Sequence, residues 1–183
     1  KPVWNAIEAP MLVFSPWCVR SHRLGWFNSS SCTQVNDGDS LVAIVTMPED
    51  DVFSEATLTD DKMTWATGAH DFIVVKDAGN GTSLAVSETD STVLFARFDP
   101  WVYFFDGSKD YAAGYRTYIG NGNDAAGPVN FFNFTEEAKT VFLKEIARMT
   151  ELPEPPEKPV GLGKEVVVVH DPAFKEPGDQ PLI

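Results

Sequence analysis

TSLAVSETDSTVLFARF, residues 82–98, decides the fold. It divides into an apolar run at 82–87, the polar triplet Glu88-Thr89-Asp90, and a second run at 92–98. Runs of six or seven residues rich in Val, Thr, Leu and Phe and bounded by turn residues are strand chemistry, and a short polar separator makes two of them antiparallel neighbours. Upstream, Asp37-Gly38-Asp39 is a turn signal, SLVAIVTM (40–47) is β-branched and apolar, and Pro48-Glu49-Asp50-Asp51 ends it. Further strands are expected at 54–59, 62–66 and 71–76, and downstream at 101–106 and 115–119, with separators built from Asp, Gly, Asn and Pro. A short strand at 9–14 falls in an otherwise irregular 1–36 stretch. Strands at nearly regular spacing with no helix between them predict a mainly β fold, an antiparallel jelly-roll sandwich, rather than a parallel α/β sheet.

One helix is expected, at 135–149 (TEEAKTVFLKEIARM). Asn133 with Glu136 three residues on reads as a capping box, and Glu136, Glu137 at one end with Lys144, Arg148 at the other suit the helix dipole. Ala138, Val141, Phe142, Glu145/Ile146 and Met149 follow the helical period, so Phe142, Ile146 and Met149 are expected to dock on the sheet. Pro153, Pro155, Pro156 and Pro159 mark an extended linker. EVVVVH (165–170) reads as a returning strand, and 171–183 as a surface tail. The domain reading is therefore 1–150, a β domain with its docked helix, and 151–183, linker, strand and tail.

The chain has 183 residues and a net charge of −13. That balance excludes nucleic acid and anionic membrane surfaces as partners, since both are held by clustered Lys and Arg. No stretch has the length of a membrane span. The sequons at Asn28, Asn80 and Asn133, together with the pair Cys18 and Cys32, point to the secretory route, a glycoprotein and a disulfide closing a short loop. Two buried thiols are the alternative for the pair.

The densest constellation lies between Asp99 and Tyr118. On a strand, Trp101, Tyr103 and Phe105 share one face and Val102 and Phe104 the other. The aromatic face, with Tyr111, Tyr115 and Arg116 following, resembles a surface that stacks on sugars or holds a peptide. Asp99 with Asp106 or Glu88 supplies two carboxylates, the minimum for acid/base hydrolysis or lysis. Packing of both faces between sheet and helix is the plainer reading. Arg97, pointing away from Phe98, is placed to pair with an acid across the sheet or to hold a carboxylate ligand.

Other chemistry is thinly marked. Gly120-Asn121-Gly122 lacks the helix that phosphate binding needs. His22, His70 and His170 stand far from one another, so no zinc signature and no metal site is read. No cofactor is expected; calcium is the one candidate, because Asp37, Asp39, Asp60, Asp61, Asp106 and Asp110 crowd turns, although solvated acidic turns are the plainer reading. Ser15 near His22 lacks the setting of a nucleophile elbow.

Trp26-Phe27, the segment Val35-Asn36-Asp37-Gly38-Asp39-Ser40-Leu41, Trp65, the run 71–75 and Gly81-Thr82-Ser83-Leu84-Ala85-Val86 carry a resemblance. Over about half the chain they are similar to secreted fungal proteins with the concanavalin-A-like jelly roll, distantly similar to glutamic peptidases. The resemblance implies a two-sheet sandwich with a concave binding face. Such peptidases use one Gln and one Glu; Asp99, in Phe98-Asp99-Pro100, falls at or beside the expected glutamate, and Gln34 and Gln180 are the only glutamines. Strands followed by a helix and a last strand also resemble the lipocalin order, with Leu24-Gly25-Trp26-Phe27 close to its G-x-W motif; that likeness implies a β-barrel. The sequence thus predicts a secreted glycoprotein binding a carbohydrate or peptide through Trp101, Tyr103 and Tyr115. The alternatives are a hydrolase or lyase using Asp99, and a lipocalin-like carrier of a small apolar ligand.

Overall fold

The computed structural model describes residues 2–35, 40–67, 70–121, 133–160 and 162. The elements in order are α1 (Pro2–Asn5), β1 (Met11–Val13), α2 (Pro16–Val19), β2 (Cys32–Val35) and β3 (Ser40–Val45), a 3-10 turn (Asp51–Phe53), then β4 (Lys62–Thr67), β5 (His70–Ile73), β6 (Thr82–Ser87), β7 (Val93–Phe98), β8 (Arg116–Ile119) and α3 (Glu136–Thr150). The fold is mainly β with one long helix. Six strands form a single curled sheet in the order β1-β8-β7-β6-β3-β4, and β2 pairs with β5 in a second, two-stranded sheet.

The pair that opens the sequence argument forms as expected: β6 and β7 are antiparallel, with Thr82 opposite Arg97 and Val86 opposite Val93. The sheet is not all antiparallel, however. β1, from the other end of the domain, lies parallel to β8, Met11 against Arg116 and Val13 against Tyr118. Among the described residues the sheet is open, with β1 and β4 at its edges.

Alternation along the strands loads both faces. Leu41, Ala43 and Val45 of β3, Met63 and Trp65 of β4, Leu84 of β6, Phe95 of β7 and Ile119 of β8 are buried together under α3 and the 3-10 turn. Val93, Ala96, Phe98 and Tyr118 point the other way and pack with Val19, Trp26, Phe27, Ile73 and Phe104. A register shift between β6 and β7 lets neighbouring Leu94 and Phe95 both serve the helix-side core.

Three local expectations change. Residues 54–59 are not a strand: Asp50 accepts from the Val52 N–H at 3.1 Å and caps a 3-10 turn that buries Val52 and Phe53, and burial of those two side chains outweighs local strand propensity. Thr59 and Lys62 exchange backbone hydrogen bonds at 3.0 Å around Asp60 and Asp61, both left-handed, a conformation Asp tolerates. Residues 101–106 are not a strand either, because Trp101 (φ 64°) and Gly107 (φ 82°) turn the chain; only Tyr103 bridges to Tyr111. The cap of α3 is Thr135, accepting from Ala138 N–H at 3.2 Å, rather than Asn133. The helix docks through Ala138, Val141 and Glu145 with Phe142 alongside, whereas Ile146 is 39% exposed. The expected strand at 165–170, the 171–183 tail, and Asp37 and Asp39 lie outside the described residues.

Candidate functional site

Residues 99–115 leave β7 and return to β8 as an irregular hairpin. Trp101 N–H donates to Ala112 O at 2.7 Å and Phe104 N–H to Asp110 O at 3.3 Å. Phe104 is its anchor: fully buried, it stacks on Trp26 (6.0 Å between centroids, 19° between planes) and meets Phe98 edge-on at 5.3 Å. Gly79 is required beneath it, because a Cβ there would come within 2.5 Å of Phe104 O. The anchor holds three partly exposed rings outward. Trp101 and Tyr111 lie 5.9 Å apart, and Tyr103 meets Tyr111 edge-on at 5.6 Å. Trp101, Tyr103 and Tyr111 thus form one surface on a loop, in place of the strand face expected to carry Trp101, Tyr103 and Phe105.

The proline-rich segment lies against this surface instead of standing off as a linker. Trp101 Nε1–H donates to the main-chain carbonyl of Pro156, and the Lys158 ammonium sits 5.0 Å above the Tyr111 ring. A cleft of about 320 Å³ opens between Trp101, Tyr111, Glu8, Asp110 and Lys158.

The remaining candidates separate. Phe105 turns toward Val75 and Gly79 and packs on the second core, and Tyr115 is half-buried. Val102, expected in the core, is 39% exposed because the segment is not a strand. Arg116 is fully buried and cannot meet a ligand. Its guanidinium donates to the carbonyls of Trp4, Asn5, Ile7, Ala9 and Tyr115, tying residues 4–9 to β8; burial pushes its pKa down to about 10. Asp99 and Asp106 are exposed in turns. Cys18 and Cys32 are not joined as a disulfide: Cys18 is exposed on α2, and Cys32 is half-buried at the start of β2. Asn28 and Asn80 are exposed, and Asn133 is half-buried where the chain enters α3. Among the described residues no group of three or more His, Cys, Asp or Glu is placed to hold a metal.

Sequence reasoning left one polar centre unassembled. Glu145 on α3 is fully buried and accepts from Arg97 at 2.7 Å, from Arg148 at 2.7 and 2.8 Å, and from the Thr117 hydroxyl at 2.6 Å; Arg97 also pairs with Asp50. Burial alone raises the pKa of both carboxyls, but the arginine hydrogen bonds outweigh it and hold them below their ordinary values. Arg97 therefore takes the first of its two expected roles, pairing with an acid. Glu145 stands seven residues after Ala138 and four after Val141, on the packed stripe, which is the signal that was legible.

A second surface is apolar. Trp4, Met11, Leu12, Val13 and Leu24 line an open cleft of about 670 Å³, with Cys18, His22 and Arg23 also on its wall. No described helix is long and apolar enough to cross a membrane. Compared with known proteins, no family model matches the chain, and neither does any curated protein or solved structure.

Proposed function

We propose that the protein is a secreted binding module that holds an extended peptide segment on the Trp101–Tyr103–Tyr111 surface. One observation carries this reading: the indole N–H of Trp101 is directed at a main-chain carbonyl of a proline-rich segment. A carbonyl repeats at every residue of a peptide, and aromatic grooves that donate from an indole to an extended chain are a general mode of peptide recognition. Sugar stacking would instead use the ring faces. The exposed sequons at Asn28 and Asn80 support the extracellular setting.

The hydrolase alternative gains no support. Asp99 and Asp106 face solvent, and the carboxyls of buried Glu145 and half-buried Asp50 are locked by arginines with lowered pKa, the opposite of a proton donor's requirement. The carrier reading keeps one observation in its favour, the 670 Å³ apolar cleft with Arg23 on its wall, which is the size and chemistry of a small-molecule site. Displacement of an apolar fluorescent probe by fatty acids, lost in Leu24→Glu, tests it.

For the peptide reading, calorimetric titration of the full chain with proline-rich peptides and with soluble polysaccharides is decisive. Wild type is expected to bind peptide, and Trp101→Ala to bind none. Binding of polysaccharide alone, or peptide binding unchanged in Trp101→Ala, overturns the reading.

A further inference from the structure

Residues 155–158, Pro-Pro-Glu-Lys, rest on the aromatic surface in a defined register. Pro156 supplies the carbonyl to Trp101, and Lys158 supplies the cation over Tyr111. An extended proline helix rises about 3.1 Å per residue, so two residues advance it about 6 Å. The Trp101 and Tyr111 rings are 5.9 Å apart. Ring spacing and chain spacing therefore match, and an advance of two residues along the ligand moves from the hydrogen bond to the cation–π contact. The cleft wall adds Glu8 and Asp110, which favour a positive side chain at the second position. Proline pre-sets the extended backbone, so little ordering entropy opposes binding.

We infer that this surface reads proline followed two residues later by a basic side chain, and that the chain's own 155–158 segment occupies it in cis until a partner peptide of the same pattern replaces it. This rests on the peptide reading above and names its ligand class and its control. A tethered segment competes at an effective concentration in the millimolar range, so a partner binds weakly unless the segment is displaced.

The test uses the full chain and a released variant, Pro155→Gly with Pro156→Ser and Lys158→Gly, with circular dichroism showing that both are folded. The probe is a ten-residue peptide of sequence ELPEPPEKPV, which repeats residues 151–160, titrated by calorimetry. The released variant is expected to bind it at least tenfold more tightly than wild type. Replacing the peptide's lysine by glutamate is expected to weaken binding at least fivefold, and Trp101→Ala in the released variant to abolish it. Equal affinity of wild type and released variant overturns the cis occupancy. Equal affinity for the lysine and glutamate peptides overturns the basic-residue rule while leaving peptide binding intact. If the released variant binds no proline-rich peptide, the peptide reading itself fails.

Discussion

Glu145 of α3 and Arg97 of β7 join helix to sheet through hydrogen bonds of 2.7 and 3.1 Å, with the carboxylate wholly out of water. A buried pair of this kind gives little net stability over an apolar pair, but removing one partner strands the other in a low-dielectric site. Glu145→Gln is therefore expected to destabilise the fold by about 3 kcal/mol. A urea midpoint unchanged from wild type would remove this account of how the helix is held.

The same network sets the acid limit. Both carboxyls have folded-state pKa values below their ordinary 4.5 (Glu145) and 3.8 (Asp50). A depressed carboxyl contributes stability that is fully present above its unfolded pKa and is lost as pH falls through its folded value. Stability is thus expected to be flat from pH 7 down to about 5 as far as these groups are concerned, and to fall below pH 4. Thermal midpoints measured from pH 7 to 3 should show the fall in wild type and a shallower one in Glu145→Gln.

The contrast between these two parts of the molecule explains what could be read from the chain. β3, β4, β6, β7, β8 and α3 are visible because each carries a local signal: β-branched runs, turn residues, or a helical stripe. Trp26, Phe27, Trp65 and Leu84 also stand out, and all four are core. What local sequence does not encode is pairing at a distance. Nothing in residues 11–13 announces a parallel partner at 116–118, and β2 hides in a polar stretch whose strand character comes from β5. Arg116 looks like a ligand contact because it closes the aromatic-rich stretch 101–115; only the fold brings the carbonyls of residues 4–9 around it. Likewise the platform's aromatic residues are legible, whereas its occupant lies 55 residues further along.

The N-terminal clamp makes its own prediction. Gly114 lies so close to the chain at Glu8 that an added Cβ would fall 1.9 Å from the Glu8 carbonyl oxygen. Backbone cannot yield as a flexible side chain does. Gly114→Ala is expected to detach residues 4–9 from β8 and, by leaving Arg116 short of acceptors, to cost more than 2 kcal/mol. Hydrogen exchange should show lost protection at Ala113, whose N–H donates to Asn5 O at 2.8 Å. Retained protection there would refute the clamp.

Glycan occupancy should follow exposure. Asn28 and Asn80 are open to solvent, while Asn133 is half-buried and its carbonyl accepts from Thr67 N–H at 2.9 Å. Thr135 of the same sequon is spent as the α3 cap and as a donor to Thr64 O. For protein expressed through a secretory pathway, mass spectrometry is expected to find glycan at Asn28 and Asn80 and none at Asn133. Unmodified Asn28 and Asn80 in secreted material would count against the glycoprotein assignment.

Trp101 combines the binding group with backbone strain. Its φ of 64° is a conformation that costs a residue with a Cβ about 1–2 kcal/mol, and it persists because Trp101 N–H is tied to Ala112 O and Phe104 is pinned in the core. Strain of this kind is tolerated where it aims a side chain, here the indole at the Pro156 carbonyl. Stability and binding should therefore separate on substitution. Trp101→Ala loses the ring and keeps the strain, whereas Trp101→Gly loses the ring and relieves it. Both variants are expected to fail in peptide binding, yet Trp101→Gly should unfold at the higher denaturant concentration, by about 1 kcal/mol. If Trp101→Ala proves the more stable of the two, the left-handed conformation at Trp101 is not strained, and the hairpin presents its ring without cost.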